Sequence, residues 1–200
     1  MPPIVHFSAS PRSEQDACHD CPPAFAPFGE EIVQLAYVVD DIAAAAQAWA
    51  VVGAGPFFTQ EVVVPDGRYH GKPGPLRYEA AFAFHGGMNI ELIQQDDPTP
   101  SVYRDHLDRS GPGFHHFMIR TGDYHETLRR HAAIGIVPHF EAALEGSGPW
   151  AYVDARPQLG CFIEIYEMAD SVQHMWDSMR AVHETWNGER PLRQSAELFA

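Results

Sequence analysis

Residues 34–58, QLAYVVDDIAAAAQAWAVVGAGPFF, and residues 116–140, HFMIRTGDYHETLRRHAAIGIVPHF, decide the fold, because the second is a diverged copy of the first. They align without a gap, Gln34 on His116, and share Asp41/Asp123, Ala50/Ala132, Gly53/Gly135, Pro56/Pro138 and Phe58/Phe140. Several shared positions carry a conformational demand. Asp123 stands where a helix N-cap belongs, with Glu126 three residues on as in a capping box. Gly53 and Gly135 stand where a helix end favours positive φ. Between cap and glycine, Ile42, Ala45, Ala46, Trp49 and Val52 recur at helical spacing, as do Tyr124, Thr127, Leu128, His131 and Ala132. Each copy reads strand, helix, strand, and a repeat on this scale governs the whole fold.

Outward from the repeat, each copy continues into strand-like runs bounded by turn residues. The first offers 57–64, 76–84 and 88–94; the second offers 137–142, 150–155 and 161–167. Both units read βαβββ, an α+β arrangement. The expected organisation is an N-terminal arm (1–29), a first module (30–110), a second module (111–168) and a C-terminal helix and tail (169–200). The arm holds six of the 17 prolines and no periodicity. In the tail, Val172, Met175, Trp176, Met179, Val182 and Trp186 trace one helical face that core cover or a dimer contact would bury.

Composition narrows the function classes. The 200-residue chain is 45% hydrophobic and carries 13 Lys plus Arg against 27 Asp plus Glu, a formal charge of −14. Such a surface repels phosphate backbones and anionic bilayers, so nucleic-acid and membrane-surface roles are not expected. There is no run of apolar residues long enough to span a bilayer and no signal-peptide pattern, and the three cysteines make no disulfide framework. These features predict a cytoplasmic protein acting on a small molecule. The Cys18/Cys21 pair has CxxC spacing but lacks the further ligands or helix start that zinc or redox chemistry needs.

The twelve histidines raise the question of which act. His116 is the one the repeat matches to a polar partner, Gln34, at the mouth of an otherwise apolar strand. Two carboxylates also stand out, Glu91 in MNIELIQ and Glu164 in CFIEIYE. A carboxylate among branched aliphatics of a β run costs several kcal/mol if buried unpaired, so each needs a cation, a proton or solvent on its face. Strand alternation puts Asn89, Phe114, Met118, Phe162 and Tyr166 on the same faces as these residues, where they are expected to line the substrate pocket with Asn89 and the Tyr166 hydroxyl as polar handles. Arg120 lies at a strand end where it can meet a substrate carboxylate or enolate. The same alternation sends His115 to the face opposite His116.

Over residues 30–168 the tandem βαβββ repeat resembles the vicinal oxygen chelate superfamily, which includes glyoxalase I, methylmalonyl-CoA epimerase, extradiol dioxygenases and bleomycin-resistance proteins. The resemblance implies a half-open mixed β-barrel around one divalent ion (Zn, Ni, Co, Mn or Fe). Its ligands come from the first and last strands of each module, here Gln34, Glu91, His116 and Glu164. The resemblance also implies a homodimer. A ligand set of one amide, one imidazole and two carboxylates is similar to that of glyoxalase I, whereas extradiol dioxygenases use two histidines and one glutamate. The segments VVDDIAAAAQAWAVVGAGPFF, GFHHFMI and DARPQLGCFIEIYE resemble the glyoxalase-like group related to methylmalonyl-CoA epimerase. The implied chemistry is proton transfer α to a carbonyl by an isomerase, epimerase or lyase, with Glu164 or Glu91 moving the proton. Coenzyme A phosphates favour Lys/Arg clusters, of which this chain offers little beyond the pair Arg129-Arg130 and scattered Arg68, Lys72 and Arg77. A small or aromatic carbonyl compound therefore fits the apolar wall better, a thioester being the other option. A ring-cleaving dioxygenase and a ligand-sequestering protein of bleomycin-resistance type are the alternatives.

Overall fold

The computed structural model describes residues 30–199. The arm and its Cys18/Cys21 pair lie outside the described residues. In chain order the first repeat runs β1 (Glu31–Val38), α1 (Ile42–Val51), β2 (Phe57–Val64), a small hairpin β3 (Arg68–Tyr69) and β4 (Lys72–Pro73), β5 (Leu76–His85) and β6 (Met88–Gln94). After α2 (Val102–Ser110) the second repeat runs β7 (Gly113–Arg120), α3 (Tyr124–Ala133), β8 (Pro138–Leu144), β9 (Gly148–Asp154), the short α4 (Arg156–Leu159) and β10 (Phe162–Tyr166). The chain closes with α5 (Asp170–Glu184), β11 (Leu192–Gln194) and a 3-10 turn at Ser195–Phe199.

The repeated punctuation acts as the sequence predicts. The Asp41 carboxylate accepts from Ala44 N and the Asp123 carboxylate from Glu126 N, each at 2.9 Å, so both helices start on a satisfied donor. Gly53 and Gly135 follow the helix ends at φ +88° and +80°, a region where a side chain is strained. Glu126 does not return the capping bond; its carboxylate accepts from Arg130 Nε at 2.8 Å.

One curled, mixed sheet results, with strand order β11-β2-β5-β6-β1-β7-β10-β9-β8-β3-β4. Within it the two repeats have the same order, β1-β6-β5-β2 and β7-β10-β9-β8, and meet through antiparallel β1 and β7. The outer edges of both repeats are covered. β11 pairs in parallel with β2, and the β3–β4 hairpin of the first repeat reaches across to pair Arg68 with Glu141 and Tyr69 with Phe140 on β8. The long 65–75 connection is therefore an edge cap shared between repeats.

Alternation along the strands builds three cores. Ile90 and Leu92 pack outward under α1 with Ile42, Ala46 and Ala81, and Ile163 and Ile165 pack outward under α3 with Tyr124 and Val153. The concave face holds the largest cluster, including Ala36, Phe84, Met118, Tyr152, Phe162 and Tyr166. α5 lies against β5, with the Trp176 ring edge-on to Phe84 at 6.0 Å and the Arg180 guanidinium 4.5 Å above the same ring. The apolar face of the closing helix is thus covered within the chain.

α2 carries little signal in the sequence. Its nine residues VYRDHLDRS are polar on average, and the signal for it was local: Ser101 caps it by accepting from Arg104 N at 3.0 Å, and Gly111 ends it at φ +72°. Only Val102 and Tyr103 of its residues are buried.

Candidate metal centre

Four adjacent central strands, β6, β1, β7 and β10, carry Glu91, Gln34, His116 and Glu164 in turn. Because Ile90/Leu92 and Ile163/Ile165 are drawn outward beneath the helices, the intervening glutamates are forced onto the concave face. The two repeats hold equivalent registers: Gln34 pairs with Asn89 as His116 pairs with Phe162. Ala36, fully buried, lies opposite both Glu91 and His116 and keeps the space between them open.

Ligand-type atoms of Glu91, His116 and Glu164 all lie within 4.8 Å of one another, and all three side chains are buried. His116 Nε2 is 2.9 Å from Glu164 Oε2 and 3.6 Å from Glu91 Oε2. The shorter separation is not a hydrogen bond, since His116 Nε2 has no partner in hydrogen-bonding geometry. Donor atoms that share one ion at about 2.0–2.2 Å stand about 2.8–3.6 Å apart, which covers both separations from His116. Gln34 donates from Nε2 to Asn89 Oδ1 at 2.9 Å, and this leaves Gln34 Oε1 buried and unpartnered. Asn89, expected as a handle on the substrate, instead orients Gln34.

Burial sets the electrostatics. It pushes the Glu164 carboxyl up to about 8, and it pushes Glu91 well above the usual carboxylate range with help from the nearby Glu164 charge. The same burial pushes His116 down to about 3, so its imidazole is neutral at physiological pH. Without a cation the cluster avoids charge by keeping protons on its carboxyls. A divalent cation held by Glu91, His116 and Glu164 would reverse that balance and satisfy the unpartnered Nε2, so this mixed N/O donor set fits such an ion.

A cavity of about 620 Å³ opens over the cluster. Gln34, Glu91 and Glu164 reach its floor; Met118, Trp150, Tyr152 and Tyr166 wall it; Val172, Met175 and Trp176 of α5 roof it. Met118 and Tyr166 line the cavity, with the Tyr166 hydroxyl held by Ser147 O at 2.9 Å. Phe162 is fully buried beneath the site and does not reach the cavity. Two other expected contacts fall elsewhere. Arg120 hydrogen-bonds Gln173 of α5 at 2.9 Å and Glu31 at 3.4 Å, lining a separate cleft of about 450 Å³. Phe114 packs on the outer face, edge-on to Tyr37 at 5.4 Å.

The displacement of Phe114 has a local cause. Ala36 pairs with His116 but Tyr37 pairs with Phe114, so His115 is an extra residue in β7. A bulge of this kind brings two successive side chains to one side. His115 is consequently not on the opposite face: it is fully buried beside His116, the two Nδ1 atoms 2.8 Å apart.

Residues 33–152 match the model of the glyoxalase/bleomycin resistance protein/dioxygenase superfamily. No curated protein matches the chain. Among solved structures, methylmalonyl-CoA epimerase from Mycobacterium tuberculosis is similar at 19% identity and a TM-score of 0.52, over 71% of this chain and 90% of that one. A variant of the Streptomyces coelicolor methylmalonyl-CoA epimerase in complex with 2-nitronate-propionyl-CoA is similar at 15% identity and a TM-score of 0.51, over 70% and 95% of the two chains. At these identities the likeness is one of fold. Among the described residues no helix is long and apolar enough to cross a membrane. With a family match across most of both repeats, and the paired-module fold shared with these structures, the chain belongs to the glyoxalase/bleomycin resistance protein/dioxygenase superfamily.

Proposed function

We propose that this protein is a divalent-metal-dependent isomerase, epimerase or lyase that moves a proton α to the carbonyl of a small organic substrate. The observation that carries the reading is the buried convergence of Glu91, His116 and Glu164, with His116 Nε2 unpartnered, under an apolar cavity. Gln34, Glu91, His116 and Glu164 are the residues to hold the cation. Bound there, it supplies Lewis acidity to a carbonyl oxygen.

The chain's own groups do the rest. Both carboxyls would help hold the cation, and one of them would exchange a proton with the substrate α carbon. Glu164 and Glu91 are the candidates for the proton, since both carboxyls reach the cavity floor where a substrate would lie. Met118, Trp150 and Tyr166 select an apolar or aromatic body and exclude water from the reacting carbon. The rim adds Glu61 and Glu145 rather than a phosphate-binding cluster, which favours a small carbonyl compound over a coenzyme A thioester.

The test combines elemental analysis after metal reconstitution with α-proton exchange into deuterated solvent on a panel of aromatic and aliphatic carbonyl compounds. Metal-dependent exchange abolished by Glu164→Gln is expected. A metal-free protein whose activity is indifferent to Glu164→Gln overturns the reading. Oxygen uptake with ferrous iron and catechols would instead point to ring cleavage, and tight binding without turnover to sequestration.

A further inference from the structure

The bulge that brings His115 inside gives this imidazole two partners and no solvent. Its Nδ1 lies 2.8 Å from His116 Nδ1, and its Nε2 lies 3.2 Å from the Val102 carbonyl in the first turn of α2. The ring is stacked on Phe162 at 5.0 Å and 25°, and meets Tyr103 edge-on at 5.2 Å. Its orientation is therefore fixed by the stacked Phe162 ring and at both nitrogens.

Hydrogen-bond chemistry then determines the protons. A carbonyl only accepts, so His115 Nε2 must carry a hydrogen and donate to Val102. In the neutral imidazole this leaves His115 Nδ1 as an acceptor, and the hydrogen between the two rings must belong to His116 Nδ1. His116 Nε2 is left bare, with its lone pair on the side of Glu91 and Glu164. We infer that His115 is a positioning residue, which with the Val102 carbonyl locks His116 in the tautomer and orientation that present Nε2 to a divalent cation. The inference rests on the metal reading above. Histidine ligands are commonly held in this way by a carboxylate, carbonyl or water; here a second imidazole, relayed to a helix carbonyl, takes that part.

The full-length chain tests it with cobalt(II) and zinc(II) as probes. His115→Phe keeps the ring volume and the stacking on Phe162 but removes the acceptor. It is expected to weaken cobalt(II) affinity by about 10-fold or more, and His115→Asn, whose Oδ1 can accept in place of Nδ1, to recover most of that loss. Imidazole nitrogen NMR of the zinc-loaded wild type is expected to report His115 with hydrogen on Nε2 and His116 with hydrogen on Nδ1. That readout stands even if a variant fails to fold. Hydrogen on His115 Nδ1, or a folded His115→Phe protein with wild-type cobalt(II) affinity, overturns the inference while leaving the metal reading intact. A wild type that binds neither ion overturns both.

Discussion

The two repeats share a strand order, a pair of helix caps and two positive-φ glycines, yet they contribute different chemistry at matched points. β1 offers the Gln34 amide, held by its neighbour Asn89. β7 offers the His116 imidazole, held by a bulged neighbour, His115. The last strands, by contrast, deliver the same carboxylate from both repeats. The first repeat also carries a hairpin that the second lacks, and spends it on closing the second repeat's edge. Duplicated secondary structure supplies the scaffold, and local irregularities that break the duplication, among them the bulge at His115 and the inserted β3–β4 hairpin, differentiate the halves.

If that comparison is sound, substitutions at matched positions have unequal effects. The largest separates the two first strands: His116→Ala is expected to lower cobalt(II) affinity by about 100-fold or more, and Gln34→Ala by about 10-fold, since an imidazole is much the stronger donor for such an ion. Isothermal titration of both variants reads the difference directly; equal losses would mean that the halves are interchangeable at the site.

Next comes the hairpin. A Cβ at Gly74 would stand 2.6 Å from Tyr69 Cβ and 3.0 Å from Tyr69 N, so Gly74→Ala must force the two arms of the β3–β4 hairpin apart. A loss of about 2 kcal/mol in urea unfolding is expected, with no change in metal stoichiometry. A neutral substitution would show that the hairpin does not brace the second repeat.

The carboxylates predict a pH dependence. In the metal-free chain the folded Glu164 carboxyl is pushed up to about 8, above its unfolded value, so its protonation favours the fold. That stability is complete below the unfolded range and is lost as pH rises through about 8. Metal-free stability is expected to fall by about 2 kcal/mol between about pH 6 and about pH 9, and by less in Glu164→Gln. Cation affinity runs the other way and rises over the same interval, because binding displaces the proton. A flat profile in both measurements contradicts the burial argument. The smallest effect is at Asn89: removing its oxygen in Asn89→Ala frees the Gln34 amide to turn, and a loss of about 3-fold in cobalt(II) affinity is expected.

Much of this arrangement was legible in the sequence because it rests on periodicity. Ile90 and Leu92 around Glu91, and Ile163 and Ile165 around Glu164, settle which way each glutamate faces once helices cover the outer side. Asp41, Asp123, Gly53 and Gly135 mark the helix ends by their own conformational preferences. What the sequence hid depends on register between strands. Strict alternation puts His115 outside and Phe114 inside, and the bulge exchanges them, with Phe114 packing on Tyr37. Arg120 keeps its side of the strand, but α5 arrives with Gln173 to take its guanidinium, a contact between segments far apart in the chain. α2 has little hydrophobic pattern because two apolar residues at its start do most of its packing.

The central claim is that Glu91, His116 and Glu164 together hold one divalent cation. Cobalt(II) titration of the metal-stripped full-length chain, beside its Glu91→Gln and Glu164→Gln variants, tests it most directly. The account predicts one ion per chain in the wild type and a large loss of affinity in each variant. A wild type that takes up no ion, or variants that bind it as tightly as the wild type, would contradict it.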